Sequence, residues 1–419
     1  MNFIDSAIRV VTMMKSKMRY DLLDGIRGAS LFGIFLANIP FFAGWDFLSP
    51  TEKSLIWGAG FFDVLKLLVF DGRFYTIFCF LFGIGLALQF SQMVNNENPV
   101  LTKRHFRRMG LLLVIGVLHT FFLWLGDILM LYALLGILLY FVRNLTDKTL
   151  LTLASIMLLL PVPGYIVFMY LGIDPDLGFY ELSGGVNVFF NTLIENKTTD
   201  SLLLFFQSNV TVGFVKFGYY LDTWRIPKVL GIMLIGLWFG RQIINGRLSH
   251  LQVPFRRYAG MMLMVGCCAS IVYAILGGLH AFGPYTSKGL LAIIIYPFAA
   301  FCMGFAYIGG FTLLWLKSDR ILHLFVAPGR MALTNYLTQT LISIAVFYEI
   351  GLGLGTKGAP WSLLILGILI VTCQTIISNI WLSYFSYGPL EWVWRMFTYG
   401  KWIKLKKQSL EYAGTVSGR

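Results

Sequence analysis

The sequence predicts an all-α fold: a polytopic transmembrane helix bundle of about ten spans, with both chain ends on the cytoplasmic side. Three observations carry this prediction. Of 419 residues, 57% are hydrophobic and only 13% are charged, about half the charged fraction of an ordinary globular domain. Apolar runs of about 17 residues or more recur along the whole chain, enough to approach the thickness of a hydrocarbon layer, and the mean hydropathy is +0.74. The basic residues, finally, fall unevenly between these runs.

Taken in order, residues 1–20 read as a cytoplasmic amphipathic lead. Phe3, Ile4, Ile8 and Val11 oppose Arg9, Lys15 and Lys17, a pattern suited to lying on the inner leaflet. An N-terminal half over 21–170 then holds spans near 26–44, 74–91, 109–125, 128–142 and 149–170. Between the first two, FFDVLKLLVFDGR (61–73) is apolar but interrupted by Asp63 and Lys66. Read as a span it would turn the basic cluster at 103–108 outward, so it is expected as an external interfacial helix. Residues 171–227 form the one large external region. Within it, 201–222 includes Gln207, Asn209 and Lys216 and reads as an interfacial or re-entrant helix. The C-terminal half, 228–387, holds spans near 228–243, 258–279, 289–316, 330–350 and 362–384, and 388–419 is a basic cytoplasmic tail. On this arrangement 24 of the 33 basic residues lie on the inner side, as the positive-inside rule requires. The net charge of +13 thus faces anionic lipid and cytosol, and no nucleic-acid partner is implied. The five cysteines all sit within apolar runs without zinc spacing, so they are expected to be small buried hydrophobes and no metal is expected.

Polar groups inside such runs need a reason to be there. In RRMGLLLVIGVLHTFFLWLGDILMLYALLG (107–136), Arg107, Arg108 and Arg143 fix both arms of a hairpin to the inner surface. Each arm is at or just below the lower limit for crossing about 30 Å of hydrocarbon, so Asp127 at the turn is expected below the lipid surface. His119 lies eleven residues beyond Arg108, about 16 Å of helix rise, and so near the midplane. A neutral imidazole there can act as a general base beside a cavity, or it can be a structural bond between spans. In RYDLLDGIRGASLFGIFLANIPFF, Asp24 and Arg27 stand at i, i+3 where the helix enters the inner leaflet. They form either a local ion pair or an anion site in which the Arg27 fork meets phosphate. Asn38, further along, needs a partner. In APGRMALTNYLTQTLIS (327–343), Arg330 marks the inner end, and Asn335, Thr338, Gln339, Ile342 and Ser343 share one face, a ladder that glues helices or lines a cavity. Glu391 and Arg395 stand at i, i+4 on either side of Trp392 and Trp394 in the tail; they read as an interfacial anchor or as a closure of the cytoplasmic mouth.

Five segments together carry a family resemblance: LLDGIRGASLFGIFLANIPFF, GRFYTIFCFLFGIGLALQ, the 107–136 hairpin, GRMALTNYLTQT and GPLEWVWRMFTYG. They resemble the DUF418, or YeiB-like, family of bacterial multi-pass membrane proteins, in order from about residue 20 to 403. That implies residence in the bacterial plasma membrane. The family is in turn similar to the transmembrane acyltransferases, which include the acyltransferase-3 proteins and the lysosomal heparan-glucosaminide N-acetyltransferase. Their shared design implies transfer from cytosolic acyl-CoA to an acceptor on the far side. LDGIRG matches the superfamily's Asp/Arg-bearing start of the first helix, and LAN at 36–38 matches an active-site asparagine of the N-acetyltransferase. The match then departs, because residues 39–104 contain no histidine where that enzyme has its base. His119 is the available substitute.

Two functional expectations follow. In the first, Arg27, Arg108 and Arg330 hold the phosphates of an acyl-CoA donor, His119 deprotonates an extracytoplasmic acceptor, Asp127 assists, and Asn38 or Asn335 donates to the oxyanion. In the second, a transporter, His119 and Asp127 bind substrate or relay protons. A lipid-binding scaffold, in which the polar groups only pack, is a third. Membrane lipids are partners in every case, and an oligomer is compatible with all three.

Overall fold

A computed structural model describes residues 17–94, 99–182, 184–246, 255–278, 285–318, 320–355 and 359–407. The predicted lead therefore lies outside the described residues up to position 16, as does the end of the tail from 408. The described chain is a helix bundle without a named strand; Phe385 and Lys406 form one isolated bridge. The helices are α1 (Lys17–Phe42), α2 (Pro50–Ser54), α3 (Ala59–Leu65), α4 (Arg73–Val94), α5 (Pro99–Phe122), α6 (Leu129–Phe141), α7 (Asp147–Leu159) and α8 (Pro161–Leu171). The external region contributes α9 (Pro175–Leu182), α10 (Val186–Thr198), α11 (Leu202–Gly213) and α12 (Val215–Asp222). The second half follows with α13 (Arg225–Ile244), α14 (Phe255–Ile275), α15 (Ser287–Lys317), α16 (Val326–Arg330), α17 (Ala332–Phe347), α18 (Pro360–Tyr384) and α19 (Pro389–Tyr399).

Every predicted span falls on helix. Seven stretches are long and apolar enough to cross a membrane: 21–42, 59–93, 147–171, 225–244, 256–275, 287–317 and 360–384. The other predicted spans are α5, whose first half is basic, and two short apolar helices, α6 and α17. With 13 residues, α6 rises only about 20 Å, short of a full crossing. The segment 61–73 is largely helical. α3 runs through a π turn at Lys66–Phe70 to Gly72, whose φ of 78° breaks the chain before α4.

The centre of the bundle is α13, which packs against α4 and α7. Val229, Met233, Leu234 and Leu237 are at most 1% exposed and share a core with Phe80, Ile84 and Ala87 of α4. The periphery has the opposite pattern. On α18, Ile365, Ile376, Ile377 and Ile380 are each more than half exposed, and α14 likewise presents Met264 and Ile275. Apolar belts of this extent are unstable against water and belong against lipid. The chain is a multi-pass membrane protein.

The external helices are pinned to the bundle by a buried amine. Lys197 Nζ donates to the carbonyls of Phe41 and Phe42 at 2.9 and 3.2 Å and to Tyr348 Oη at 3.1 Å. It thereby adds a donor to the last carbonyls of α1, that of Phe41 also accepting the Gly44 N–H at 3.1 Å. Burial pushes this amine down to about 7.

Candidate functional site

The hairpin of α5 and α6 places its polar groups at its tip. Gly116 faces the backbone of Met130 so closely that a Cβ would collide with it, which lets the two arms converge. Asp127 then serves two purposes. Its Oδ2 accepts the Met130 N–H at 2.9 Å, capping the first turn of α6 where a carboxylate is favoured. Its Oδ1 lies 2.9 Å from His119 Nδ1. A carboxylate can only accept, so Nδ1–H donates to it, and in the neutral ring Nε2 is the acceptor. Nε2 faces Thr340 Oγ1 of α17 at 2.9 Å. The result is a chain of carboxylate, imidazole and hydroxyl from the hairpin turn, α5 and α17.

A second cation closes the group. Lys216 of α12 sits 3.5 Å from Asp127 Oδ2 and donates to Thr120 Oγ1 at 2.9 Å. Tyr220, one turn on, donates to the Asp127 carbonyl at 3.2 Å. Segment 201–222 is helical, packed against the hairpin. It breaks at Phe214 between α11 and α12 and lays both over the hairpin tip. His119, Asp127 and Lys216 are 1%, 3% and 2% exposed.

The two predicted asparagines have different surroundings. Asn335 donates to Ser378 Oγ at 3.0 Å and to the Pro328 carbonyl at 3.4 Å, so its amide is committed to joining α17 to α18. Gln339 and Gln374 continue that seam at 3.1 Å, with Gln374 also donating to Thr338 Oγ1. Asn335 shares no hydrogen bond with His119 among the described residues. Asn38 is half-buried, and its side chain engages no hydrogen-bond partner among the described residues. It lies one turn before Phe42, whose ring packs 4.5 Å from Trp124, and Trp124 in turn lies 6.2 Å from the His119 ring.

At the basic end, the three predicted arginines come together around α1. Gly28 meets the backbone at Phe325 and Gly329 meets that at Asp24, each so tightly that a Cβ would clash. α16 is thereby locked onto α1, and Arg330 comes within electrostatic range of Asp24. Arg27 pairs with Asp24 at 2.6 Å and keeps 30% of its side chain exposed. Arg108 is close enough to feel both Arg27 and Arg395. Its guanidinium lies 4.4 Å over the Trp394 ring and donates to Gln89 Oε1 at 3.3 Å, while its Nε–H has no acceptor among the described residues.

One expectation at this end is corrected. Glu391 does not pair with Arg395. It accepts Leu333 N–H at 2.7 Å, Thr334 N–H at 3.0 Å and the Thr334 hydroxyl at 2.5 Å. Three donors at the open start of α17 outweigh one ion pair on a half-exposed surface. Arg395 instead stacks 4.5 Å over Tyr387.

Sequence reasoning did not select Thr340, Lys216 or His105 as site residues. Thr340 lies off the polar face drawn through Asn335 and Gln339, although it belongs to the same run. Lys216 carried a signal, a lysine in an otherwise apolar stretch. His105, fully buried, bridges Gln89 and the Gly136 carbonyl at 3.2 Å each, tying α4 to the hairpin; the arginines around it masked it as part of a basic cluster.

Comparison with known proteins agrees with the segments that carried the resemblance. Residues 240–401 match the family described as Protein of unknown function (DUF418). The uncharacterized protein YxaH of Bacillus subtilis (strain 168) is 29% identical over 93% of this chain and 97% of its own length. An uncharacterized 39.9 kDa protein in the amylase 3' region of Bacillus acidopullulyticus is 28% identical, with the same coverage of 93% and 97%. The uncharacterized protein YeiB of Escherichia coli (strain K12) is 28% identical over 90% of this chain and 95% of its own. No solved structure matches at a significant level. The chain thus matches the DUF418 family over residues 240–401 and is similar along most of its length to these bacterial proteins.

Proposed function

We propose that this protein transfers an acyl group from a coenzyme A thioester at the basic face to an acceptor reaching it from the opposite side of the membrane. The observation that carries the reading is the Asp127–His119–Thr340 chain, with both links at 2.9 Å. It has the order of orienting carboxylate, base and hydroxyl nucleophile found in acyl-transfer sites on unrelated folds. Depth supports it too. His119 is eleven residues from Arg108 along α5, which sets the chain about 16 Å from that arginine. A donor with phosphates on a long flexible arm and a thioester at its end spans such an interval. The likeness to transmembrane acyltransferases points the same way.

In this reading Thr340 Oγ1 attacks the thioester carbonyl carbon while its proton passes to His119 Nε2. The tetrahedral intermediate collapses, the C–S bond breaks, and His119 returns the proton to the leaving sulfur. An acceptor hydroxyl or amine then gives its proton to His119 and attacks the Thr340 ester. The acyl–oxygen bond breaks and the proton goes back to Thr340. Asp127 stays ionised, holds Nδ1–H in place and stabilises the imidazolium. Asn38 is the amide proposed for the oxyanion. Because the chain is sealed beneath α11 and α12, those helices must lift for the acceptor to enter, a gating step of the kind that limits many enzymes.

The test uses purified protein in nanodiscs with radiolabelled acetyl-CoA and palmitoyl-CoA. Wild type should take label onto the peptide containing Thr340, seen by mass spectrometry, and Thr340→Val and His119→Gln should not. Saturable thioester binding without label on Thr340, or label that survives His119→Gln, rejects the mechanism. One observation favours a second reading, proton-coupled transport: Lys216 beside Asp127 makes three ionisable groups in one sealed contact. That reading predicts no thioester binding at all, and flux that Thr340→Val leaves intact.

A further inference from the structure

The end of the molecule opposite the arginine rim holds a second charged group that acyl transfer leaves unused. α4 and α13 pack along each other and begin at that end. Each opens with cations: Arg73 on α4, and Arg225 and Lys228 on α13. This placement runs against the helix dipole, whose N-terminal end favours anions and repels cations. First-turn N–H groups also seek acceptors.

The side chains do not resolve the conflict among themselves. Arg73 is 0% exposed and donates to the Asp71 carbonyl and to Ser270 Oγ, but its Nε–H has no acceptor among the described residues. Arg225 is half-buried, lies 4.7 Å over the Tyr75 ring and donates to Tyr219 Oη at 3.0 Å. Neither guanidinium forms an ion pair among the described residues. Asp71 feels Arg73, Lys66, Arg225 and Lys228 yet makes no ion pair among the described residues, and its Oδ2 has no donor among them. Asp222, which acts on Lys228, already accepts from Tyr285 Oη at 3.0 Å. Arg73 and Arg225 thus each lack a paired carboxylate among the described residues, in a site walled by Tyr75, Tyr219 and Tyr296.

We propose that this group is a binding site for a phosphate oxyanion at the face opposite the arginine rim. Two guanidiniums offer forked donors of the geometry phosphate prefers, Lys228 adds a point charge 4.9 Å over the Tyr296 ring, and two helix N-termini add their partial charge. Tyr219, 37% exposed, marks the way in. The phosphate is either a free anion or the headgroup of a lipid in that leaflet. The inference stands whether or not Thr340 is acylated.

The experiment follows the thermal unfolding midpoint of full-length protein in maltoside micelles, read by tryptophan fluorescence. One arm titrates inorganic phosphate, and the other adds phosphatidylglycerol or, as control, phosphatidylcholine. A saturable rise with phosphate assigns a free anion. A rise with phosphatidylglycerol alone assigns a headgroup. In either case Arg225→Gln should weaken the response at least tenfold and Arg225→Lys much less. Should Arg225→Gln not fold, Lys228→Met replaces it with the same threshold. A wild type that responds in neither arm, or an Arg225→Gln response equal to wild type, overturns the proposal.

Discussion

The hairpin tip and the arginine rim handle charge in opposite ways. At the tip, one carboxylate is matched by an imidazole, an ammonium and a backbone amide, and all of them are nearly inaccessible. At the rim, Arg27 and Arg330 gather near Asp24, with Asp21 beside it, and Arg108 lies near Arg27 and Arg395; their guanidiniums rest on aromatic faces or stay partly exposed. The tip lies at a depth where an unmatched charge is expensive, so its members come from separate helices and complete one another. The rim sits where water and headgroups screen repulsion, so it tolerates an excess of one sign. A matched, dry cluster is suited to moving a proton between fixed atoms, and an unmatched wet one to holding an anionic ligand. Substitutions at the two ends should therefore separate folding from recognition.

The largest effect is expected at the tip. Asp127→Ala leaves Lys216 and His119 buried without their acceptor and uncaps α6. Breaking one partner out of a buried charged group typically costs about 3–5 kcal/mol, measured here as loss of stability to denaturant in detergent micelles. Adding Lys216→Met removes the stranded cation, so the double variant should recover at least about 1 kcal/mol of that loss. A double variant no more stable than Asp127→Ala would mean that Lys216 and Asp127 are not coupled, and the closed network would lose its central link.

A smaller effect is expected at the junction of the two regions, where Glu391 fastens α19 to the start of α17. Glu391→Ala deletes the acceptor for three donors and should cost about 1–3 kcal/mol. The pH dependence has a definite sign. Burial pushes the Glu391 carboxyl above its ordinary 4.5, so the folded protein takes up this proton at higher pH than the unfolded chain does. Across the window between 4.5 and the raised value, the unfolded state binds fewer protons, and stability from this group falls as pH rises. Glu391→Gln, neutral throughout, should flatten that slope. A slope unchanged in the variant would assign it to other groups.

How much of this could be read in advance depended on the range of the contact. Apolar runs set the helices, and all predicted spans fall on helical segments because lipid demands internally bonded backbone whatever the partners are. The His119–Asp127 pairing, eight residues apart across a turn, was legible as a hairpin whose arms were too short to surface. Thr340 was not, because it meets His119 across 221 positions, and helical periodicity describes a face without naming what that face meets. The same limit misdirected Glu391. An i, i+4 spacing says that two side chains can touch, but not that an uncapped helix start some 57 residues away offers more. The cover of α11 and α12 over the tip was foreshadowed only by Lys216, a charge in an apolar stretch with no local partner.

The smallest effect on stability, and the sharpest on binding, is expected at Arg27. Its ion pair with Asp24 is half-exposed and one helical turn long, a class of interaction worth roughly 0–1 kcal/mol. Arg27→Ala should therefore shift the unfolding free energy by no more than about 0.5 kcal/mol. It also frees Asp24, leaving a carboxylate beside Arg108 and Arg330 to compete with any phosphate, so donor affinity should fall by more than the loss of one cation alone. A decrease of about tenfold in coenzyme A thioester binding at low salt, narrowing as ionic strength rises, is the outcome that identifies the rim as a phosphate-recognition surface. Removing both partners discriminates further: Arg27→Ala with Asp24→Asn should bind better than Arg27→Ala alone. If the two variants bind alike, Asp24 does not govern the rim, and the arginines act as separate membrane anchors.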